Sequence, residues 1–189
     1  MTAVDITIRQ ATVDDIPDLV RLRRIMFESM GYTDHAQLQA ADEAAAAYFG
    51  ATIPVNEFCG WLAFNADGQA VGSGGAVIDR HPPGPSNLSG QSGYIMNVST
   101  DPLYRRHGIA RRIMQTILGW LAEQSVTKVT LHTTEAGRPL YEQLGFVDSN
   151  EMYLQTQVPR TSPCEALEDQ ASGAARGSAS PYAKGPGIL

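Results

Sequence analysis

Gly93-Tyr-Ile-Met-Asn-Val-Ser-Thr-Asp-Pro-Leu-Tyr-Arg-Arg-His-Gly-Ile-Ala110 decides how this chain folds. Residues 92–100 read as a strand, and Pro102, which has no N–H to give a central ladder, prevents its continuation. A basic loop, Arg105-Arg-His107, leads to Gly108. Ile109, Ile113, Ile117, Leu118 and Leu121 recur at helical spacing and predict a helix over 108–124. A strand follows over 127–133. Strand, helix and strand together have the length of a right-handed crossover. The N–H groups at the start of such a helix have no intrahelical acceptor, and the helix dipole adds partial positive charge. The loop therefore suits an anion, most naturally a phosphate or pyrophosphate. Gly108 lets the backbone approach a ligand, and Ala110 is too small to block it. The same arrangement also fits a capped surface helix with solvated arginines. Neither Gly-X-X-X-X-Gly-Lys-Ser/Thr nor Gly-X-Gly-X-X-Gly is present, so it is neither a P-loop nor a dinucleotide fingerprint.

On the N-terminal side, Val4, Ile6 and Ile8 alternate with polar residues as in a half-buried strand. Thr12-Val-Asp-Asp15 has the form of a capping box, with acids in the first turn. Ile16, Leu19, Val20, Leu22, Ile25, Met26 and Met30 then follow at helical spacing, with Gly31 as the stop. A second, Ala-rich helix is expected from Ala36 to about Phe49, closed by Ile53-Pro54. Residues 57–64 and 69–79 read as paired strands around the turn Asn65-Ala-Asp-Gly68, although Gly72, Gly74 and Gly75 weaken the second. Pro82, Pro83, Gly84 and Pro85 make 81–91 a loop. Beyond the crossover, 137–144 reads as a short helix ended by Gly145, and one last strand is expected near 151–155. Interleaved strands and helices give an α/β or α+β class with a mixed sheet. In residues 158–189, Gly, Pro, Ser and Ala supply 18 of 32 positions without periodicity. The domain is expected to span 1–157 and this tail to be flexible.

The 189 residues include 14 Lys plus Arg against 20 Asp plus Glu, a net charge of −6, and 43% are hydrophobic. That is enough apolar material for a core, which excludes a wholly disordered chain. The acidic balance argues against a general nucleic-acid binder and against an anionic membrane surface. Arg105, Arg106, Arg111 and Arg112 form a basic cluster, but without the interleaved aromatics of a single-strand binder. No apolar run approaches the ~20 residues of a membrane-spanning helix, and residues 1–9 show no signal-peptide pattern. Cys59 and Cys164 make neither a disulfide framework nor a zinc site. Cys59 also lacks the partners of an acyl nucleophile and is expected in a core strand. A cytoplasmic protein without a metal is the expectation.

Arg105-Arg-His-Gly-Ile-Ala110 resembles the Arg/Gln-X-X-Gly-X-Gly/Ala signature of the GCN5-related N-acetyltransferases, or GNAT family. Gly137-Arg-Pro-Leu-Tyr-Glu-Gln-Leu-Gly-Phe146 is similar to that family's Leu-Tyr-X-X-X-Gly-Phe landmark, in the right order and with a strand between the two. The resemblance covers about residues 92–155. It implies a mixed, mostly antiparallel sheet of about six strands with about four helices, in which two strands diverge around the cofactor. It implies acetyl-coenzyme A, and direct transfer of the acetyl group to a primary amine without an acyl-enzyme. Carried over, the backbone of Val98 and Thr100 would pair with the pantetheine amides, and the Val98 N–H would face the thioester oxygen. The N–H groups of Arg106, His107, Gly108, Ile109 and Ala110 would hold the pyrophosphate, with charge added by Arg105 and Arg111. Tyr141 matches the family's tyrosine near the sulfur, where a phenol can protonate or hydrogen-bond a departing thiolate.

An amine nucleophile must lose a proton, which invites a general base. Some relatives carry a glutamate on the strand before the signature, but residues 92–100 contain no carboxylate, so that role does not carry over. Glu28, at the end of the first helix, is a candidate at the border of the acceptor cleft. His132 is a candidate proton relay at the end of a strand, and a water chain is an equal alternative. The expected acceptor is a small-molecule amine, with no nucleic-acid or membrane partner and a homodimer left open. Acetylation of a protein N-terminus or lysine is one alternative. A non-catalytic acyl-coenzyme A sensor is another, which the missing carboxylate keeps open and Tyr141 argues against.

Overall fold

β1 (Thr7–Gln10), β2 (Cys59–Phe64), β3 (Ala70–Arg80), β4 (Gln91–Thr100) and β5 (Lys128–Leu131) lie side by side, in chain order, in one sheet. The computed structural model describes residues 5–154. Each neighbouring pair from β1 to β4 is antiparallel, and β4 and β5 are parallel. Among the described residues the helices are α1 (Ile16–Ser29), α2 (His35–Thr52), α3 (Ile109–Glu123) and α4 (Arg138–Glu142). The helix α3 makes the crossover between the parallel strands. None of these helices is long and apolar enough to cross a membrane.

Local chemistry explains where the helices start. The Asp15 carboxylate accepts hydrogen bonds from the Thr12 N–H and hydroxyl at 2.8 and 3.0 Å, and from both terminal nitrogens of Arg9. This fixes the entry into α1. Asp34 caps α2 by accepting from the N–H groups of Ala36 and Gln37. Asn65 organises the β2–β3 hairpin, its side-chain oxygen accepting from the N–H groups of Asp67 and Gln69.

Two apolar layers hold the sheet. On one face α1 and α2 bury Leu19, Leu22, Ala45 and Phe49 against Phe58, Leu62 and Ala70. On the other, α3 buries Ile109, Ile113, Met114, Ile117 and Leu121 against Trp61, Ala63, Val71, Ala76 and Ile95. The Leu, Ile, Val, Met and Phe side chains among these each contribute about 1.5–3 kcal/mol on full burial. Cys59 is buried at the start of β2, as expected for a core thiol, and burial pushes its pKa up.

Several sequence expectations are refined. β3 runs unbroken through Gly72, Gly74 and Gly75. These glycines are sites of close approach: a Cβ on Gly74 would lie 2.7 Å from Ile113 and 3.0 Å from Ile117. α2 continues to Thr52, and β2 begins at Cys59 because Phe58, expected in the strand, instead packs as a buried plug beside Phe49. Among the described residues the sheet has five strands where about six were expected. The chain divides after Val147 into two units. In the second, Glu151 to Leu154 belong to no strand among the described residues. Residue 155 and the proposed tail, 158–189, lie outside the described residues.

Candidate functional site

β4 and β5 pair only from Ser92/Lys128 to Ile95/Leu131. β5 then ends, while β4 continues from Met96 to Thr100 with no partner strand on that side among the described residues. A bulge accompanies the divergence. The β3–β4 register shifts between Ser73/Ser99 and Gly75/Met96, and Asn97 adopts a left-handed φ of 57°. Buried Ser73 donates from its hydroxyl to the Asn97 carbonyl at 3.2 Å and pins the bulge. A bulge sharpens local twist and bends its strand, here opening a gap beside Val98 and Thr100. Sequence reasoning missed this device. The available signal was an asparagine, a residue that tolerates left-handed backbone, in mid-strand.

Beyond Thr100 the chain makes a short turn, Pro102–Tyr104, capped by Asp101, whose side chain accepts from the Leu103 N–H. Arg106 (φ 65°) and Gly108 (φ 77°) then both take left-handed conformations ahead of α3. Alternation of this kind turns consecutive N–H groups towards one side as an anion-binding nest. Among the described residues the N–H groups from Arg106 to Arg111 find no acceptor. Glycine takes this left-handed conformation at position 108 without the steric cost a side chain carries, and a Cβ added to it would meet nothing within 4 Å. The space above it is open.

The arginines divide their work. Arg105 donates to the Thr100 carbonyl at 3.2 Å and to the Ser29 hydroxyl at 2.7 Å, tying the end of α1 to the end of β4. Arg111 donates to the Gln143 side chain and joins the start of α3 to the end of α4. Arg106 and His107 are exposed on the loop. One buried polar atom at the gap, the Thr100 hydroxyl oxygen, has no hydrogen-bond partner among the described residues. An orphaned hydroxyl and a row of orphaned amides fit a ligand that runs along β4 and ends in phosphate, as acetyl-coenzyme A does.

The three expected catalytic candidates lie apart. Tyr141, on α4, packs with the α3-side cluster and stands edge-on to Phe146 at 6.0 Å. A Cβ on Gly137 would lie 3.1 Å from its ring, and burial raises its pKa. His132 follows β5 directly and its Nδ1 lies 2.6 Å from the Tyr94 hydroxyl. Tyr94 was not among the residues singled out by sequence. Glu28 is exposed on the last turn of α1 beside Ser29, and its carboxylate enters no hydrogen bond or ion pair among the described residues. Those residues also hold no cluster of three metal-ligating side chains. A wide cleft of about 620 Å³ lies at the opposite end of β4, lined by Tyr48, Glu57, Arg80, Gln91 and Gln124. It lies beside the starting end of β4, away from the gap and the orphaned amides.

A family model described as the acetyltransferase (GNAT) family matches residues 19–146. No curated protein sequence matches the chain. Among solved structures, a predicted acetyltransferase from Clostridium acetobutylicum, determined with acetyl-CoA, is 26% identical with a TM-score of 0.73, over 80% of this chain and 96% of that one. A GCN5-related N-acetyltransferase from Ralstonia eutropha JMP134 is 27% identical with a TM-score of 0.74, over 80% and 99%. Glucosamine-6-phosphate N-acetyltransferase from Arabidopsis thaliana shares the fold at 16% identity and a TM-score of 0.61, over 82% and 99%.

Proposed function

The chain belongs to the acetyltransferase (GNAT) family, whose fold implies acyl transfer from an acyl-coenzyme A, and on that premise we propose that it acetylates a primary amine of a small molecule from acetyl-coenzyme A. The observation that carries the donor is the run of orphaned N–H groups from Arg106 to Arg111 at the end of an open strand gap. The relative determined with acetyl-CoA supports the same donor. The net charge of −6 favours a cationic acceptor.

When bound, acetyl-coenzyme A supplies a thioester carbon open to attack and a thiolate that can leave. The loop amides hold its pyrophosphate, and Arg106 adds charge from the rim. The exposed backbone of β4 from Met96 to Thr100 orients the pantetheine arm as an added strand would be oriented. The Val98 N–H donates to the thioester oxygen as negative charge develops there. Tyr141 keeps its proton, because burial disfavours phenolate, and gives it or a hydrogen bond to the leaving sulfur.

The test begins with binding. Acetyl-coenzyme A at a hundredfold excess over its Kd should stabilise the protein by about 2.7 kcal/mol and raise Tm accordingly. A Cβ at position 108 meets no atom within 4 Å, and aspartate is among the residues that tolerate left-handed backbone, so Gly108→Asp should fold. Its carboxylate would stand against the pyrophosphate and abolish the shift. A folded Gly108→Asp protein with an unchanged shift would remove the site. Mass spectrometry of amines, polyamines, amino acids and peptides incubated with acetyl-coenzyme A identifies the acceptor, and acetylated peptides alone would overturn the small-molecule assignment.

A further inference from the structure

Side chains alternate between the faces of a strand. Gly93 and Ile95 both face α3: a Cβ on Gly93 would lie 3.0 Å from Leu121, and Ile95 packs in the α3 cluster. Tyr94, between them, therefore faces the α1 side, as Met96 does. Leu131 packs with the α3 cluster, so His132 faces the α1 side too. The two meet there, rings 5.8 Å apart at 70° and hydroxyl to Nδ1 at 2.6 Å. They stand beside the last paired row of β4 and β5, where the gap opens. Tyr141 belongs to the opposite, α3 side. The gap thus has a proton donor on one face and a tyrosine–histidine pair on the other.

We propose that Tyr94 is the catalytic residue that takes the proton of the incoming amine, passing its own hydroxyl proton to His132, which serves as the relay. This rests on the acyl-transfer reading above. In this assignment the Tyr94 hydroxyl donates across the 2.6 Å contact to Nδ1 of His132, so that Nε2 bears the imidazole proton. The protons then balance. The ammonium group loses one proton to the Tyr94 oxygen while Tyr94 loses its own to Nδ1. The resulting imidazolium releases the Nε2 proton to water from its exposed edge. The free amine attacks the thioester carbon, the C–N bond forms and the C–S bond breaks. The second amine proton passes to water, and Tyr141, which gives its own proton to the departing thiolate, regains one from water, so that amide, free thiol and one released proton are the net products. The pair supplies the base that the strand, lacking a carboxylate, does not.

Two nucleophiles separate this role from a packing role. n-Butylamine is an ammonium ion near neutral pH and must be deprotonated, whereas hydroxylamine is already largely neutral. Thiol release from acetyl-coenzyme A with butylamine should fall 10²- to 10⁴-fold in Tyr94→Phe, and also in His132→Gln. Release with hydroxylamine should fall much less, and acetyl-coenzyme A affinity should hold. Tyr141→Phe, acting on the leaving group, should lower both reactions alike. Nitrogen-15 correlation spectra should show the Nε2–H tautomer of His132, and Tyr94→Phe should disturb it. Equal losses with both nucleophiles in Tyr94→Phe, wild-type release with butylamine, or an Nδ1–H tautomer would each overturn the relay. No thiol release by the wild-type protein with either nucleophile would instead refute the transfer reading on which it rests.

Discussion

Asp15 shows how much one side chain can organise. The Arg9 guanidinium, hydrogen-bonded to both its oxygens, holds its carboxyl at about 2, below the ordinary 3.8, and the Thr12 bonds add to this against the cost of burial. A carboxyl with a depressed native pKa contributes stability that is complete above the unfolded value and is lost as pH falls through the native one. Asp15→Asn should therefore cost about 1–2 kcal/mol at neutral pH, the lower figure allowing for solvent around the half-exposed Arg9. The gap between variant and wild type should close between pH 4 and pH 2 on the scale set by those two values. Urea midpoints across that range check it, and a constant gap would show that the carboxylate charge is not involved. The capping-box pattern was legible at Thr12 to Asp15. The arginine that depresses the pKa was not, because its place beside Asp15 depends on where β1 runs.

At the scale of elements, the placement of α3 governs the site. Its first turn carries the orphaned amides, and its apolar face rests on Gly72 and Gly74 of β3. Gly74→Ala would drive a methyl to 2.7 Å from Ile113 and 3.0 Å from Ile117. Overpacking of this kind costs about 1–3 kcal/mol, and lifting α3 should weaken coenzyme binding as well. Gly119→Ala, on the same helix, meets nothing within 4 Å and should stabilise by about 0.5–1 kcal/mol through helix propensity alone. Opposite shifts in Tm for the two variants are the expected result. Two shifts of the same sign would show that the glycines are not what seats the helix. In the sequence these glycines resembled strand breakers, since a chain read singly does not show the helix packed above it.

For the whole molecule, the family match lies within residues 19–146 and both core layers lie before residue 147. We propose that residues 158–189 form an appendage that the core does not need. Their composition offers too little apolar area to offset the entropy of ordering them. Truncation after Arg160 should shift Tm by less than a degree or two and leave acetyl-coenzyme A affinity unchanged. A loss of several degrees, read by calorimetry, would show that the tail packs on the domain or on a second chain.

Periodicity and punctuation in the sequence determined most elements and their order, because a helix's apolar stripe and a turn's asparagine and glycine act over a few neighbouring residues. Gly108 and the basic loop before α3 likewise marked the proposed anion site, since a helix start is a local event. Only the tertiary structure decided the rest. The Asn97 bulge exists because Ser73 on β3 holds its carbonyl, and the gap exists because β5 stops at Leu131 while β4 runs on. Tyr94 and His132 are 38 positions apart in the chain yet within hydrogen-bond reach. Their meeting is set by the parallel register of two strands that touch only after the crossover helix has packed.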